Sequence, residues 1–401
     1  MRKRWAFILT AFLILSTLTS CWSRKEVANL AIAVALGIDK QEGEYIVSVQ
    51  IINPAETASS EKAGGYDTPV TTYTARGQML VEGLRKLTKE IPRKVYLAHL
   101  RMIVIGEEIA KEGIYDALDF LSRDHEMRTD FYIIVAKEHT AVEILKVLTG
   151  IEKIPANKLF NSLEISTEEW AATGKIRLNE LMDDIVSEGT QPTLTGVIIR
   201  GNPKEGMKKE NVEMISSKTF LSYSGIAAFH KNKLVGWLNE DESKGFNYIK
   251  DNVHSTVVVF EMNDGDVAVE VIDCKTDIIS QIKNGAPSFE VKITGEGNVA
   301  DVNTKLDLMN PNVIGELEEK VNKDIKDVIQ SSLNKAQKEY ETDIFGFGEQ
   351  IHKNEPKEWE TIKKQWSDLF PEVPVNINVK IKIRRVGTIS NPFHNELLEE
   401  K

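Results

Sequence analysis

Two cysteines in 401 residues, at positions 21 and 274, are too few for a disulfide framework, so packing must hold the fold. No cysteine pair has zinc-ligand spacing and none of the seven histidines sits in H-E-x-x-H, which leaves metal catalysis without ligands. A G-x-S-x-G elbow and a P-loop are absent, and Gly295-Glu296-Gly297 lacks the third glycine and following helix of a dinucleotide site. With 61 carboxylates, counting alone leaves a catalytic acid pair open, but no motif points to one and the chain reads as a non-enzyme. Basic residues are the minority, 50 against 61 acidic for a net charge of −11, which argues against nucleic acid as a partner. Long apolar runs are scarce as well, the stretch at 5–15 being too short to cross roughly 30 Å of hydrocarbon as a helix.

What that stretch does have is Arg2, Lys3 and Arg4 before it, the n-region and h-region of a secretory signal. It ends in Leu18-Thr19-Ser20-Cys21, which resembles the lipobox of bacterial lipoproteins. In that class the cysteine receives a diacylglycerol and becomes the first mature residue, so Cys21 is the expected lipid attachment site. The competing reading is a plain secreted protein with a cysteine near its cleavage site. Loss of 1–20 leaves 47 basic residues against 61 acidic, a net charge of −14. Anionic lipid would repel such a surface overall, so retention would rest on the two acyl chains. Cys274 would then be the one remaining thiol, read as a small buried residue near a strand end rather than a reactive group.

Along the mature chain, 29–38 and 45–52 read as a hairpin around a turn at 39–43, and 53–69 as a loop rich in Pro, Gly, Ser and Thr. Leu80, Leu84, Leu87 and Ile91 fall at helical spacing ahead of Pro92. Strand candidates at 100–105, 131–136 and 194–200 alternate with helical stretches near 114–121, 142–147, 158–170 and 178–186. Segment 201–211 is a polar break, either a domain boundary or a long hairpin. Beyond it, short alternating stretches at 220–229, 253–260, 267–272 and 289–293 precede one long helix from Pro311, with Leu317, Val321, Ile325, Val328, Leu333, Ala336 and Tyr340 on one stripe. Residues 375–386 alternate with period two, the signature of a strand with one wet face.

Two charged clusters flank the first layer, Tyr96-Leu97-Ala98-His99-Leu100-Arg101 and Arg123-Asp124-His125-Glu126-Met127-Arg128. They read as local ion pairs and caps, or as a docking surface for a partner. Near the C-terminus Phe345, Phe347, Trp359, Trp366 and Phe370 gather around a glycine-rich turn, as core or as a pocket.

Taken in order, these segments resemble the Ger(x)C family, the lipoprotein C subunits of nutrient germinant receptors in endospore-forming bacteria. The resemblance rests on Cys21-Trp22, Glu26 and Gly37-Ile38-Asp39, on the Tyr96 to Arg101 segment, on Val104-Ile105-Gly106-Glu107-Glu108, and on Asp119-Phe120-Leu121-Ser122-Arg123-Asp124. It continues through Gly225-Ile226-Ala227-Ala228-Phe229, Lys233-Leu234-Val235-Gly236-Trp237-Leu238, the 343–348 turn and the paired tryptophans. Ser23 departs from the pattern, standing where an acidic residue is common after the Cys-Trp pair. The resemblance implies a three-domain α+β protein: signal peptide 1–20, N-terminal α+β domain 21–138, helix-rich middle domain and linker 139–215, a C-terminal antiparallel-rich sheet packed on a long helix at 216–390, and a tail at 391–401. It implies a lipid-anchored subunit on the outer face of the spore inner membrane, working with an A-type subunit and a permease-like B-type subunit. No cofactor or metal is expected beyond the diacylglycerol on Cys21. A lipid-anchored nutrient-binding protein is the alternative, although such proteins usually have two α/β lobes around a hinge.

Overall fold

The computed structural model describes residues 4–5, 29–54, 68–283 and 285–385. Cys21, nearly all of the signal segment, residues 55–67 of the expected loop and the 391–401 tail lie outside the described residues.

The chain opens on β1 (Leu30–Gln41) and β2 (Glu44–Ile52), the expected antiparallel hairpin. Its two-residue turn places Glu42 at φ 54° and Gly43 at φ 83°, the left-handed pair that matches strand twist. β3 (Val70–Gly77) then adds to β2. α1 (Leu80–Lys86) follows, on which Leu80 and Leu84 are buried, as are Leu87 and Ile91 just after it. A three-residue strand, β4 (Lys94–Tyr96), pairs with the start of β1.

β5 (Met102–Gly106) leads into α2 (Glu107–Glu112) and α3 (Tyr115–Arg123), and β6 (Tyr132–Ala136) into α4 (Ala141–Lys146), α5 (Pro155–Glu169) and α6 (Leu178–Val186). β7 (Thr193–Arg200), β8 (Phe220–His230) and β9 (Lys233–Leu238) complete a nine-stranded sheet ordered β3-β2-β1-β5-β6-β7-β8-β9, with β4 on β1. β1, β5, β6 and β7 run parallel in its middle. All residues of β5 and β6 are buried, because Ile103, Ile105, Ile133 and Val135 face α1, α2, α3 and α6 while Met102, Val104, Tyr132 and Ile134 face α4 and α5. β7 and β8 pair antiparallel, so the polar break at 201–211 lies in a long hairpin connection. Positions 138/139 and 215/216 both fall in connections between strands of this one sheet.

After α7 (Glu240–Ile249) comes a second sheet of β10 (Ser255–Met262), β11 (Gly265–Lys283), β12 (Ala286–Val302) and β13 (Val375–Arg385). The first three are antiparallel and β13 is parallel to β12. Against it lies α8 (Pro311–Asn334), burying Leu317, Val321, Ile325, Ile329 and Leu333. α8 also covers the outer edge of β13: Ile381 N–H donates to Asn322 Oδ1 at 2.7 Å and Ile383 N–H to Glu318 Oε1 at 3.0 Å, which blunts an edge that could otherwise pair with another chain. An α+β fold with a helix-backed, antiparallel-rich second sheet is thus observed. Cys274 corrects one expectation: it sits inside β11 at a register shift rather than near a strand end, and burial pushes its thiol up to about 12.

α7 and α8 touch at Gly245, where a Cβ would stand 2.2 Å from the Val328 carbonyl oxygen and 2.9 Å from Ser332 Cβ. Gly245→Ala is therefore expected to lower stability by about 1–3 kcal/mol despite its better helix propensity, as read by urea denaturation.

Candidate functional site

The described chain enters the first sheet at one edge. Leu30 opens β1 beside Lys94, and the parallel strands β5 and β6 start at the same edge. The two charged clusters come together there. Their ion pairs are mostly local, Arg123 with Asp119 at 2.7 Å and Arg128 with Asp130 at 3.1 Å, while Lys94 reaches across to Glu126 at 2.5 Å. Between α1, β4 and α3 lies a cleft of about 530 Å³ whose walls include Val81, Leu84, Leu97 and Phe120, with Asp119, Arg123 and His125 at its rim. A second cleft of about 500 Å³ is lined by His99, Arg101, Arg128 and Asp130, where Arg101 stacks over Phe160 at 4.6 Å.

The segments that carry the resemblance also build the frame. Asp39 is buried and caps α4, accepting Ala141 N–H at 2.7 Å and Val142 N–H at 3.0 Å. Burial pushes its carboxyl pKa up, with those two donors opposing the shift. Gly106 must be glycine, since a Cβ would lie 2.1 Å from Asp39 Oδ1. Trp237 donates Nε1–H to Glu107, and its carbonyl accepts from Tyr340, which packs flat on Gly236 and so links the first sheet to the segment after α8.

The aromatic turn is core. Asp343 Oδ1 accepts the N–H groups of Phe345, Gly346 and Phe347 at 3.2, 2.9 and 3.2 Å, and Oδ2 accepts Gly348 N–H at 2.9 Å and Trp366 Nε1–H at 3.0 Å. Burial pushes its pKa up, and the donors pull against that rise. Gly346 sits at φ 82°, starting α9 (Phe347–Asn354). Phe347 stacks on Phe289 at 4.6 Å, and Trp359 meets Trp366 edge-on at 5.7 Å, the two lying on separate short helices, Pro356–Ile362 and Trp366–Leu369, rather than on one helix face. The same turn binds the two halves, Gln191 N–H donating to the Asp343 carbonyl, and α7 adds a second tie, Asn247 Nδ2 donating to the Ala171 and Thr173 carbonyls.

Sequence reasoning passed over the cavity of about 260 Å³ where the halves meet, lined by Asp184, Lys250, Asn252, Phe246 and Ile344. Asp184 has no signature beyond helical spacing, and burial pushes it up to about 6 with Lys250 opposing. A raised carboxylate pKa means that stability present below about 3.8 is lost as pH rises through about 6. Asp184→Asn is therefore expected to stabilise the protein by about 2 kcal/mol at pH 7, the gain shrinking to nothing by about pH 4 in paired thermal melts.

Among the described residues no group of three or more His, Cys, Asp or Glu could hold a metal ion, and no helix is long and apolar enough to cross a membrane.

Residues 23–199 match the family described as the spore germination protein N-terminal domain, and residues 224–387 match the C-terminal family described as spore germination B3/GerAC like. The chain is 31% identical to spore germination protein KC of Bacillus subtilis (strain 168) over 98% of its own length and 99% of the relative's. It is 24% identical to spore germination protein B3 of the same organism, covering 94% and 97%, and 22% identical to spore germination protein GerQC of Bacillus cereus, covering 96% and 99%. The crystal structure of the GerBC protein superposes with a TM-score of 0.53 at 19% identity, covering 87% of this chain and 96% of that one.

Proposed function

Because the chain belongs to the Ger(x)C family of spore germination proteins, we propose that it is the lipid-anchored C subunit of a nutrient germinant receptor, acting without catalysis on the outer face of the spore inner membrane. The observation that carries this reading is end-to-end similarity to named spore germination proteins through both family regions. In this reading Cys21 receives the diacylglycerol and holds the folded part beside an A-type and a permease-like B-type subunit. Tethering raises the effective concentration of each docking face, so weak contacts suffice for assembly and signalling. The edge of the first sheet supports it, because the charged clusters and the cleft lined by His99, Arg101, Arg128 and Asp130 lie where β1 begins.

Spores lacking this chain should lose the response to the nutrient of their receptor and regain it on complementation; an unchanged response to every nutrient would reject the assignment. Calorimetry on the fragment from Trp22 onward separates scaffolding from nutrient capture. No heat is expected with nutrients that trigger these spores, and saturable heat would move the assignment to a nutrient-binding lipoprotein.

A further inference from the structure

The tether is shorter than the strand it feeds. Eight residues separate Cys21 from Leu30, nine Cα steps with a reach of about 30 Å even fully extended. β1 then runs twelve residues from Leu30 to Gln41, about 36 Å at ordinary strand rise. An orientation with the far end of β1 on the bilayer would hold Leu30 further from the surface than its tether extends. For a sheet standing upright on the bilayer, the edge where β1, β4, β5 and β6 begin is therefore the membrane-proximal one in a lipidated chain.

Charge sorts along the same axis. Around the starting edge, Lys89, Arg93, Lys94, Arg101, Arg123 and Arg128 are all exposed, against Glu90, Asp119, Asp124, Glu126 and Asp130, a local excess of one positive charge in a chain of net −11. At the opposite edge, Glu42, Glu44, Glu107, Glu108, Glu112 and Glu138 face Lys40, Arg76, Lys111 and Lys137, a local excess of two negative charges. From the tether length and this charge gradient we propose that the first sheet stands with its strand-start edge on the bilayer, its cations against anionic lipid headgroups and its acidic edge turned away. The acyl chains hold the protein and the edge charges orient it, which reconciles an acidic chain with a lipid surface. This inference rests on the lipid anchor at Cys21.

The lipidated full chain, carrying a fluorophore at Thr129→Cys or at Glu42→Cys, is reconstituted on phosphatidylcholine vesicles containing phosphatidylglycerol and a headgroup-labelled acceptor lipid. Both substituted positions are exposed, and the half-buried Cys274 is replaced by alanine in both proteins so that each carries one thiol for labelling. Energy transfer at position 129 is expected to exceed that at 42 by about threefold or more, given edges about 36 Å apart. Equal transfer, or greater transfer at 42, on vesicles that carry the protein would overturn the orientation while leaving the anchor standing. Failure of both proteins to float with vesicles would overturn the anchor and this inference with it. On pure phosphatidylcholine the contrast should narrow, and an unchanged contrast would overturn the part assigned to headgroup charge.

Discussion

Asp343→Ala is expected to abolish cooperative folding of the second half of the molecule. The carboxylate is buried and satisfies five donors, four backbone N–H groups and the Trp366 indole. Alanine leaves all five without an acceptor, at about 1–3 kcal/mol for each buried orphan, a sum comparable with the 5–15 kcal/mol that ordinarily separates folded from unfolded chains. The damage would spread, because this turn seats Phe347 on Phe289 and carries the Gln191 contact to the first sheet. Asp343→Asn keeps one acceptor oxygen but turns an amide N–H₂ toward two donors, so its loss should be nearer 2–4 kcal/mol. Urea unfolding followed by tryptophan emission reads both, Trp366 being the indole that loses its partner. Wild-type midpoints for both variants would show that the turn is held by its aromatic packing alone.

The second large effect concerns attachment rather than folding. In Cys21→Ala spores, the membrane-bound fraction of this protein should fall on the order of a hundredfold, with a matching loss of the nutrient response, since each buried methylene of an acyl chain contributes about 0.8 kcal/mol and a single chain is already marginal. The edge cations identified above cannot substitute for the lipid, because the mature chain as a whole carries 47 basic residues against 61 acidic. Position 21 precedes the first described strand, so the purified variant should melt with the wild-type protein. Unaltered membrane fractionation of Cys21→Ala would remove the lipid anchor from the account.

These two residues mark the limits of what the chain discloses before folding. The expectation at Cys21 rests on its immediate neighbours alone, a basic start, an apolar run and two small residues. Asp343 was visible only as part of a glycine-rich turn, since its role arises when Trp366, 23 residues later, swings back onto it. The same contrast runs through the fold. β5, β6 and β7 stood out as apolar runs and α8 as a long stripe, because burial on both faces or on one helical face writes itself into hydrophobic period. β3 escaped because Thr71, Thr72 and Thr74 share it with few apolar residues, its stability coming from the β2 ladder. α2 follows β5 without a break and buries only Ile109 and Ala110. β11 and β12 run 19 and 17 residues, yet sequence gave only short alternating pieces of each. The register shift between Ile272 and Lys275, with Asp273 at φ 51°, interrupts the period inside β11. α7 did carry a readable start, Asn239 with Glu242 three residues on, which the structure shows as a capping box.

The central claim, membership of a membrane receptor through a lipid on Cys21, is tested most directly by affinity purification of this protein from detergent-solubilised spore membranes, with mass spectrometry of both its partners and its N-terminal peptide. The account predicts co-purifying A-type and permease-like subunits together with diacylglycerol on Cys21. A protein recovered without membrane partners, or with an unmodified Cys21, would contradict it.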